Sequence, residues 1–179
     1  EIPKEKSVPV IAKLLEISQQ RPAGMIQRKA LESLGYFSDE CVATLIAQAL
    51  QKNDVEWLAS ALFAMGRSLD ERWSPLILEH INHPDLTVQI EAIRAAGELE
   101  LAAANEKFFS ILDKENVDSE VRSQIYWALS KIGGKGVRER LEQEQEETDD
   151  EDLLDVLEMA LENLDFTEDS NSFDLFNLE

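Results

Sequence analysis

The stretch DLTVQIEAIRAAG, which runs from Asp85 to Gly97, has the features of a complete helix with one buried face. Val88, Ala92 and Ala96 recur at intervals of four residues, which places them on the same side of an α-helix. Asp85 stands three residues before Val88, where its carboxylate can accept a hydrogen bond from a free backbone N–H of the first turn. Gly97 follows the last apolar residue and indicates where the helix ends.

The same pattern recurs at intervals of 31 to 33 residues along the chain. Each recurrence has an apolar anchor in the place of Val88, followed by further apolar residues four and eight positions later. Most recurrences also have an Asp three residues before the anchor, and several have a Gly nine residues after it. The anchors are Ile26, Trp57, Val88, Val121 and Leu153, the aspartates are Asp54, Asp85, Asp118 and Asp150, and the glycines are Gly35, Gly66 and Gly97.

A second helical segment is predicted between successive anchored helices, at residues 39–51, from Ser74 onward, at 105–113 and at 135–146. One pair of helices cannot bury its apolar face alone, so the pairs are expected to stack. The prediction is an all-α fold, a right-handed α-α superhelix of about five two-helix repeats over residues 1–165. Residues 166–179 are expected to form an acidic and aromatic C-terminal tail. Residues 7–19 are read either as a second helix whose first helix is missing or as a cap helix.

The repeat resembles a HEAT repeat. The resemblance is carried by Asp118–Arg122 (DSEVR), by the Ala128-Leu129 and Ile132-Gly133 pairs that follow it, and by VQIEAIRAAG at 88–97. It implies an α-solenoid whose first, anchored helices lie outside and whose second helices line a concave surface. It also implies a role in binding or scaffolding. Only Arg122 supplies the Arg that follows the anchor in this family, so a regular Asp–Arg ladder between repeats is not expected.

The charge distribution excludes several classes of partner. The net charge is −20, and 16 of the 37 acidic residues lie from Glu142 onward, where no Lys or Arg occurs. Duplex nucleic acid and anionic membrane surfaces would both be repelled by that end. The expected partner is a protein, with a basic surface as one option, although the acidic end could instead only keep the cap soluble. Cys41 is the only cysteine, which is typical of a cytoplasmic protein.

No residue pattern predicts catalysis, a metal site or a cofactor. His80 and His83 are better explained as part of a turn than as metal ligands, because a third strong ligand is missing. Iron hydroxylases with HEAT-like repeats use His-Glu pairs, and this sequence has no His-Glu dipeptide. The favoured function is a non-catalytic scaffold or adaptor. The alternative is an accessory or catalytic subunit of a phycobilin-lyase-like modifying system, because such subunits also have HEAT-like repeats.

Two groups of residues are predicted to contact the partner. Positions six residues after the anchors form a row along the stack, in which Phe63, Arg94 and Trp127 could make an aromatic–cation–aromatic strip. Packing between repeats is the other reading of that row. Arg67, Arg72 and Trp73 lie in a connection between helices, and such connections often carry recognition. Local packing is again the alternative for these residues.

Overall fold

Helices account for most of the described part of the chain. In the computed structural model, residues 12–14, 16, 24–37 and 40–176 are described, with side chains described as far as residue 166. After helical residues at 12–14 and 16, the helices are α1 (Gly24–Leu34), α2 (Glu40–Leu50), α3 (Val55–Ser68), α4 (Ser74–His80), α5 (Leu86–Glu98), α6 (Asn105–Leu112), α7 (Ser119–Ile132), α8 (Val137–Glu147) and α9 (Glu151–Phe176). No strand occurs in these ranges, and the predicted all-α class is confirmed.

The predictions for the two ends of the chain can be compared with the structure to different extents. Most of the helix predicted at 7–19 lies outside the described residues. At the other end, α9 continues to Phe176, well beyond residue 165, where the repeats are predicted to end. The proposed boundary between residues 165 and 166 therefore falls inside a helix, and a separate tail stays a prediction. Among the described residues, no helix combines the length and the apolar character that are needed to span a bilayer.

The aspartates cap the helices as the sequence predicts. Asp54 accepts a hydrogen bond from the backbone N–H of Trp57 at 3.0 Å, and Asp85 accepts one from that of Val88 at 3.2 Å. Asp118 and Asp150 each accept from the N–H two residues later, at 2.9 and 3.0 Å. Since each cap satisfies an N–H that has no partner within its helix, it fixes where α3, α5, α7 and α9 begin.

The helices form two layers with different spacing. Consecutive odd-numbered helices contact one another along the stack, whereas consecutive even-numbered helices make few or no contacts with each other. Each even-numbered helix packs mainly on the odd-numbered helix that follows it. In a curved stack the inner layer spans the shorter arc, so the closely spaced odd-numbered helices lie on the concave side. The odd-numbered helices are the anchored ones, so the expectation that the anchored helices lie outside is wrong. Each anchored helix is the second helix of its repeat, because each even-numbered helix packs mainly on the odd-numbered helix that follows it.

Glycine allows the odd-numbered helices to approach this closely. A Cβ added to Gly66 would stand 2.8 Å from the Cα of Ala95, which is closer than real Cβ atoms come to a neighbouring backbone. The contact is the same in kind at three successive interfaces, which pair Gly35 with Ala64, Gly66 with Ala95, and Gly97 with Ala128. At the fourth interface Ser130 replaces glycine, and Asn163 Nδ2 donates to its hydroxyl at 3.0 Å.

The sequence pattern predicts that these glycines end their helices, and this is confirmed for Gly35, which directly follows the last residue of α1, but not for the other two. Gly66 and Gly97 lie inside α3 and α5. Positive φ values occur instead just beyond these two helices, at Leu69 (φ 52°) and Glu100 (φ 50°). The positions of Gly66 and Gly97 are thus explained by packing between helices, and the residues with positive φ just beyond α3 and α5 are not glycines.

A buried carboxylate completes the apolar face of α8. Val137 and Leu141 are the buried apolar side chains of this helix, and Glu144 occupies the next position of the same stripe. Glu144 Oε2 accepts hydrogen bonds from the Tyr126 hydroxyl at 2.6 Å and from Arg122 Nη1 at 2.7 Å. These two bonds join α8 to α7.

Arg140 completes the set of donors to Glu144. Its Nη2 and Nε donate to Glu144 Oε1 at 2.8 and 3.1 Å, and its Nη1 donates to Asp113, beyond α6, at 2.6 Å. Burial, followed by the hydrogen bond to Glu144, raises the pKa of Tyr126, so its hydroxyl stays protonated and can donate. Arg122 therefore serves a local buried network and not a ladder between repeats.

Candidate functional site

A groove of about 510 Å³ crosses the odd-numbered helices near the start of the stack. Its walls come from α1, α3 and α5, at equivalent positions of the repeat, so like positions of successive helices form rows across it. The side chains that line it are mostly charged or polar, with one aromatic ring. They include Arg28, Lys29 and Glu32 on α1, Glu56, Ser60 and Phe63 on α3, and Thr87, Glu91 and Arg94 on α5.

Two residues of the predicted strip meet in this groove. The guanidinium carbon of Arg94 lies 5.7 Å from the centroid of the Phe63 ring, and both side chains are half-buried. Arg67 adds to the strip, because its guanidinium carbon lies 5.5 Å from the centroid of Phe63 and 5.3 Å from that of Tyr36. Trp127 packs instead over Gly97 at the interface of α5 and α7. The observed strip is therefore Tyr36–Arg67–Phe63–Arg94.

The second predicted group is divided between two surfaces. Arg67 faces the odd-numbered helices, where its Nη1 pairs with Glu98 at 2.8 Å. Arg72 lies outside the groove, beside the start of α2, where Glu40 binds it at 3.1 Å and Asp70 at 2.6 Å. Trp73 is half-buried and packs against the core beside a cavity of about 150 Å³. The sequence grouped these residues because they are close in the chain, but the end of α3 separates them.

Most charges in the groove are matched within the protein. Arg28 pairs with Glu56 at 2.8 Å, across the gap between α1 and α3. Glu32 accepts from Lys29 at 2.7 Å and from the buried hydroxyl of Ser60 at 2.8 Å. The groove thus presents alternating charges, with Glu32 and Ser60 held in place by one another.

Glu91 is the exception among the described groove carboxylates. Its closest cationic partner is Arg94 Nη1 at 3.4 Å, and its Oε2 is buried without accepting a hydrogen bond from another described group. Burial has the largest effect on the pKa of Glu91 and raises it, whereas the positive charge of Arg94 lowers it. Glu32 raises this pKa further, and Lys29 and Arg67 lower it. Low solvation therefore outweighs the charges around this carboxylate.

The raised pKa of Glu91 gives a pH-dependent prediction. A raised carboxyl pKa means that the folded protein holds this proton more tightly than the unfolded chain does. The stability that this proton contributes is fully present below the ordinary pKa of 4.5. It is lost as pH rises through the raised pKa of Glu91 in the folded protein. We expect the stability of the Glu91→Gln variant, relative to that of the wild type, to be greater at about pH 7 than at about pH 4. Urea unfolding of both proteins at both pH values measures this difference.

A charge-matched control is available on α8. Glu139 is exposed and lies outside the groove, so Glu139→Gln removes the same charge without relieving burial. An equal gain in the Glu139→Gln variant would show that net charge, and not the surroundings of Glu91, causes the effect.

The histidines serve the turn that precedes α5. His83 Nδ1 accepts from the backbone N–H of Asp85 at 3.1 Å, and His80 Nδ1 lies 2.8 Å from the carbonyl of Leu76. In the part of the chain that the structure describes, no three His, Cys, Asp or Glu side chains are grouped so that they could hold a metal ion. Cys41 is half-buried and packs against the core.

Comparisons with known proteins agree with the geometry. A search of the curated proteins finds no match to the sequence. Among solved structures, the chain is similar to a designed armadillo repeat protein in complex with the peptide (KR)4, with a TM-score of 0.59 at 16% sequence identity. The likeness covers 90% of this chain and 84% of the designed protein. Residues 74–162 match the family described as HEAT repeats, and the chain is a HEAT-like α-solenoid.

Proposed function

We propose that this protein is a non-catalytic scaffold or adaptor that binds an extended segment of a partner protein in the groove formed by α1, α3 and α5. The observation that carries the proposal is the groove itself, in which equivalent positions of three successive helices present hydrogen-bonding groups and an aromatic ring. A designed solenoid of similar fold occurs in complex with a peptide. The groove therefore supports the expectation of a protein partner and is the surface that we propose for it.

The dimensions of the stack suit an extended chain. Packed helices are about 8–10 Å apart, and an extended peptide advances about 3.3 Å per residue. A peptide that crosses the helices would therefore place about every third residue over an equivalent row. Phe63 is a suitable centre for this contact, because large aromatic side chains often dominate the free energy of binding.

The acidic C-terminal end has a supporting role in this proposal. Its −16 charge would attract a basic partner over a distance of about 10 Å at moderate ionic strength. Such attraction mainly accelerates association and depends on salt. A cytoplasmic location stays a prediction, and within the described residues no feature favours the modifying-system alternative.

The proposal is tested by selecting ligands from a phage-displayed library of short random peptides with the whole chain. Binding of the selected peptides is then measured by fluorescence anisotropy for the wild type, Phe63→Ala and Trp73→Ala. We expect Phe63→Ala to weaken binding about tenfold or more, in line with the loss of a central aromatic contact. Trp73→Ala, which alters the separate cavity beside α2 and not the groove, is expected to leave the affinity unchanged.

Circular dichroism establishes first that both variants are folded. Selected peptides that bind Phe63→Ala as tightly as the wild type, or a selection that yields no peptide, would contradict the proposal. Loss of binding only in Trp73→Ala would place the binding surface at the cavity beside α2.

A further inference from the structure

The cations near the groove all face carboxylates of the protein, and Arg94 is the most loosely paired of them, at 3.4 Å from Glu91. Arg28 is paired with Glu56, Lys29 with Glu32, and Arg67 with Glu98, each at 2.7–2.8 Å. An anionic ligand would have to compete with these pairs and would also face the remaining carboxylates. The groove is therefore poorly suited to recognising a negative charge.

The acceptor that remains belongs to Glu91. Its Oε2 accepts no hydrogen bond from another described group, and its contact with Arg94 is long at 3.4 Å. Glu32, which also lines the groove, adds a second negative charge close enough to affect Glu91. A buried carboxylate oxygen without a hydrogen-bond donor is costly, so a ligand that brings a positively charged donor to this half-buried carboxylate gains more than at a fully exposed acid.

A free metal ion fits this position less well than a side chain does. Two carboxylates do not make the set of ligands that a divalent cation requires, and no larger set exists among the described residues. Phe63 lies in the same groove and offers an apolar surface to the methylene stem of a lysine or arginine. The occupant thus combines a hydrocarbon stem with a cationic end.

We propose that Glu91 is the specificity-determining residue of the groove and that it binds a lysine or arginine side chain of the partner's extended segment. The inference rests on the proposed peptide-binding function and adds the chemical class of the residue that the groove selects. It requires that the preferred peptides carry a basic residue at one fixed position.

A double-mutant cycle with the selected peptides tests the inference. The basic residue of the peptide is replaced by a neutral side chain of similar shape, norleucine for lysine or citrulline for arginine. We expect Glu91→Gln to weaken binding of the basic peptide about tenfold, as for a lost charge-assisted hydrogen bond, and to leave binding of the neutral peptide unchanged. Glu139→Gln is the matched control, because Glu139 is exposed and lies outside the groove.

The outcomes separate this inference from the proposed function. Equal weakening of the basic and neutral peptides by Glu91→Gln, or an equal effect of Glu139→Gln, would overturn the role of Glu91. Selected peptides that are sensitive to Phe63→Ala but have no fixed basic residue would also overturn it, while leaving the peptide-binding function in place. Peptides insensitive to Phe63→Ala would overturn both.

Discussion

Glu144→Ala is expected to lower the free energy of unfolding by about 3–5 kcal/mol, the range for breaking a buried ion pair by removing one partner. The carboxylate accepts from Tyr126, Arg122 and Arg140, and its removal leaves these donors without their shared acceptor. The helix α8 contributes few buried apolar side chains of its own. Its attachment to α7 therefore depends heavily on this network. In the variant, the rate of amide hydrogen exchange is expected to increase most in α8.

The control is Glu142→Ala on the same helix. Glu142 is exposed, and exposed substitutions usually change stability by no more than about 0.5 kcal/mol. Urea unfolding monitored by circular dichroism compares the two variants. If the free energies of unfolding of the two variants agree, the network does not hold α8 in place.

Gly66→Ala is expected to lower the free energy of unfolding by about 1–3 kcal/mol, the usual cost of adding a methyl group to a packed interface. The new Cβ would stand 2.8 Å from the Cα of Ala95, so α3 and α5 must move apart. Alanine favours the helix interior by about 1 kcal/mol over glycine. The expected loss therefore appears despite a gain in helix propensity.

Gly24→Ala separates these two effects. The Cβ at Gly24 would meet only the flexible end of Arg28, at 3.5 Å. Thermal and urea unfolding of this variant should show no loss of stability. A stable Gly66→Ala variant would mean that the helices can separate at little cost.

The repeat could be predicted from the sequence because its signals are local. Asp85 caps its own helix, and Val88 lies on the same face as Ala92, so both can be recognised within a few residues. The layer that each helix occupies depends on curvature, which arises from contacts between repeats. That is why the odd-numbered helices were placed on the wrong side.

The groove was predictable only in part for the same reason. The row position of Phe63 and Arg94 follows from the repeat, and the structure places the two side chains together. Arg67 joins them, because the last turn of α3 carries its side chain toward Tyr36 and Phe63 and away from Arg72. Sequence proximity could not reveal that direction.

Glu144 was hidden within the acidic end of the chain. From the sequence it is one of many acids in a solvated segment, and its burial is apparent only when Arg122 and Arg140 surround it. The available signal was the spacing of Val137, Leu141 and Glu144, which continues the apolar stripe of α8. An acid in a stripe position with basic residues nearby is a reason to consider a buried pair.

The glycine–alanine contacts also determine how the solenoid can deform. On the inner side the backbones already touch, so neighbouring repeats cannot be compressed further there. The even-numbered helices make few or no contacts with one another, so contacts between them do not oppose a change in their spacing. Each glycine contact therefore acts as a pivot about which the outer helices can spread or close, and the groove would widen or narrow through rotation at these pivots.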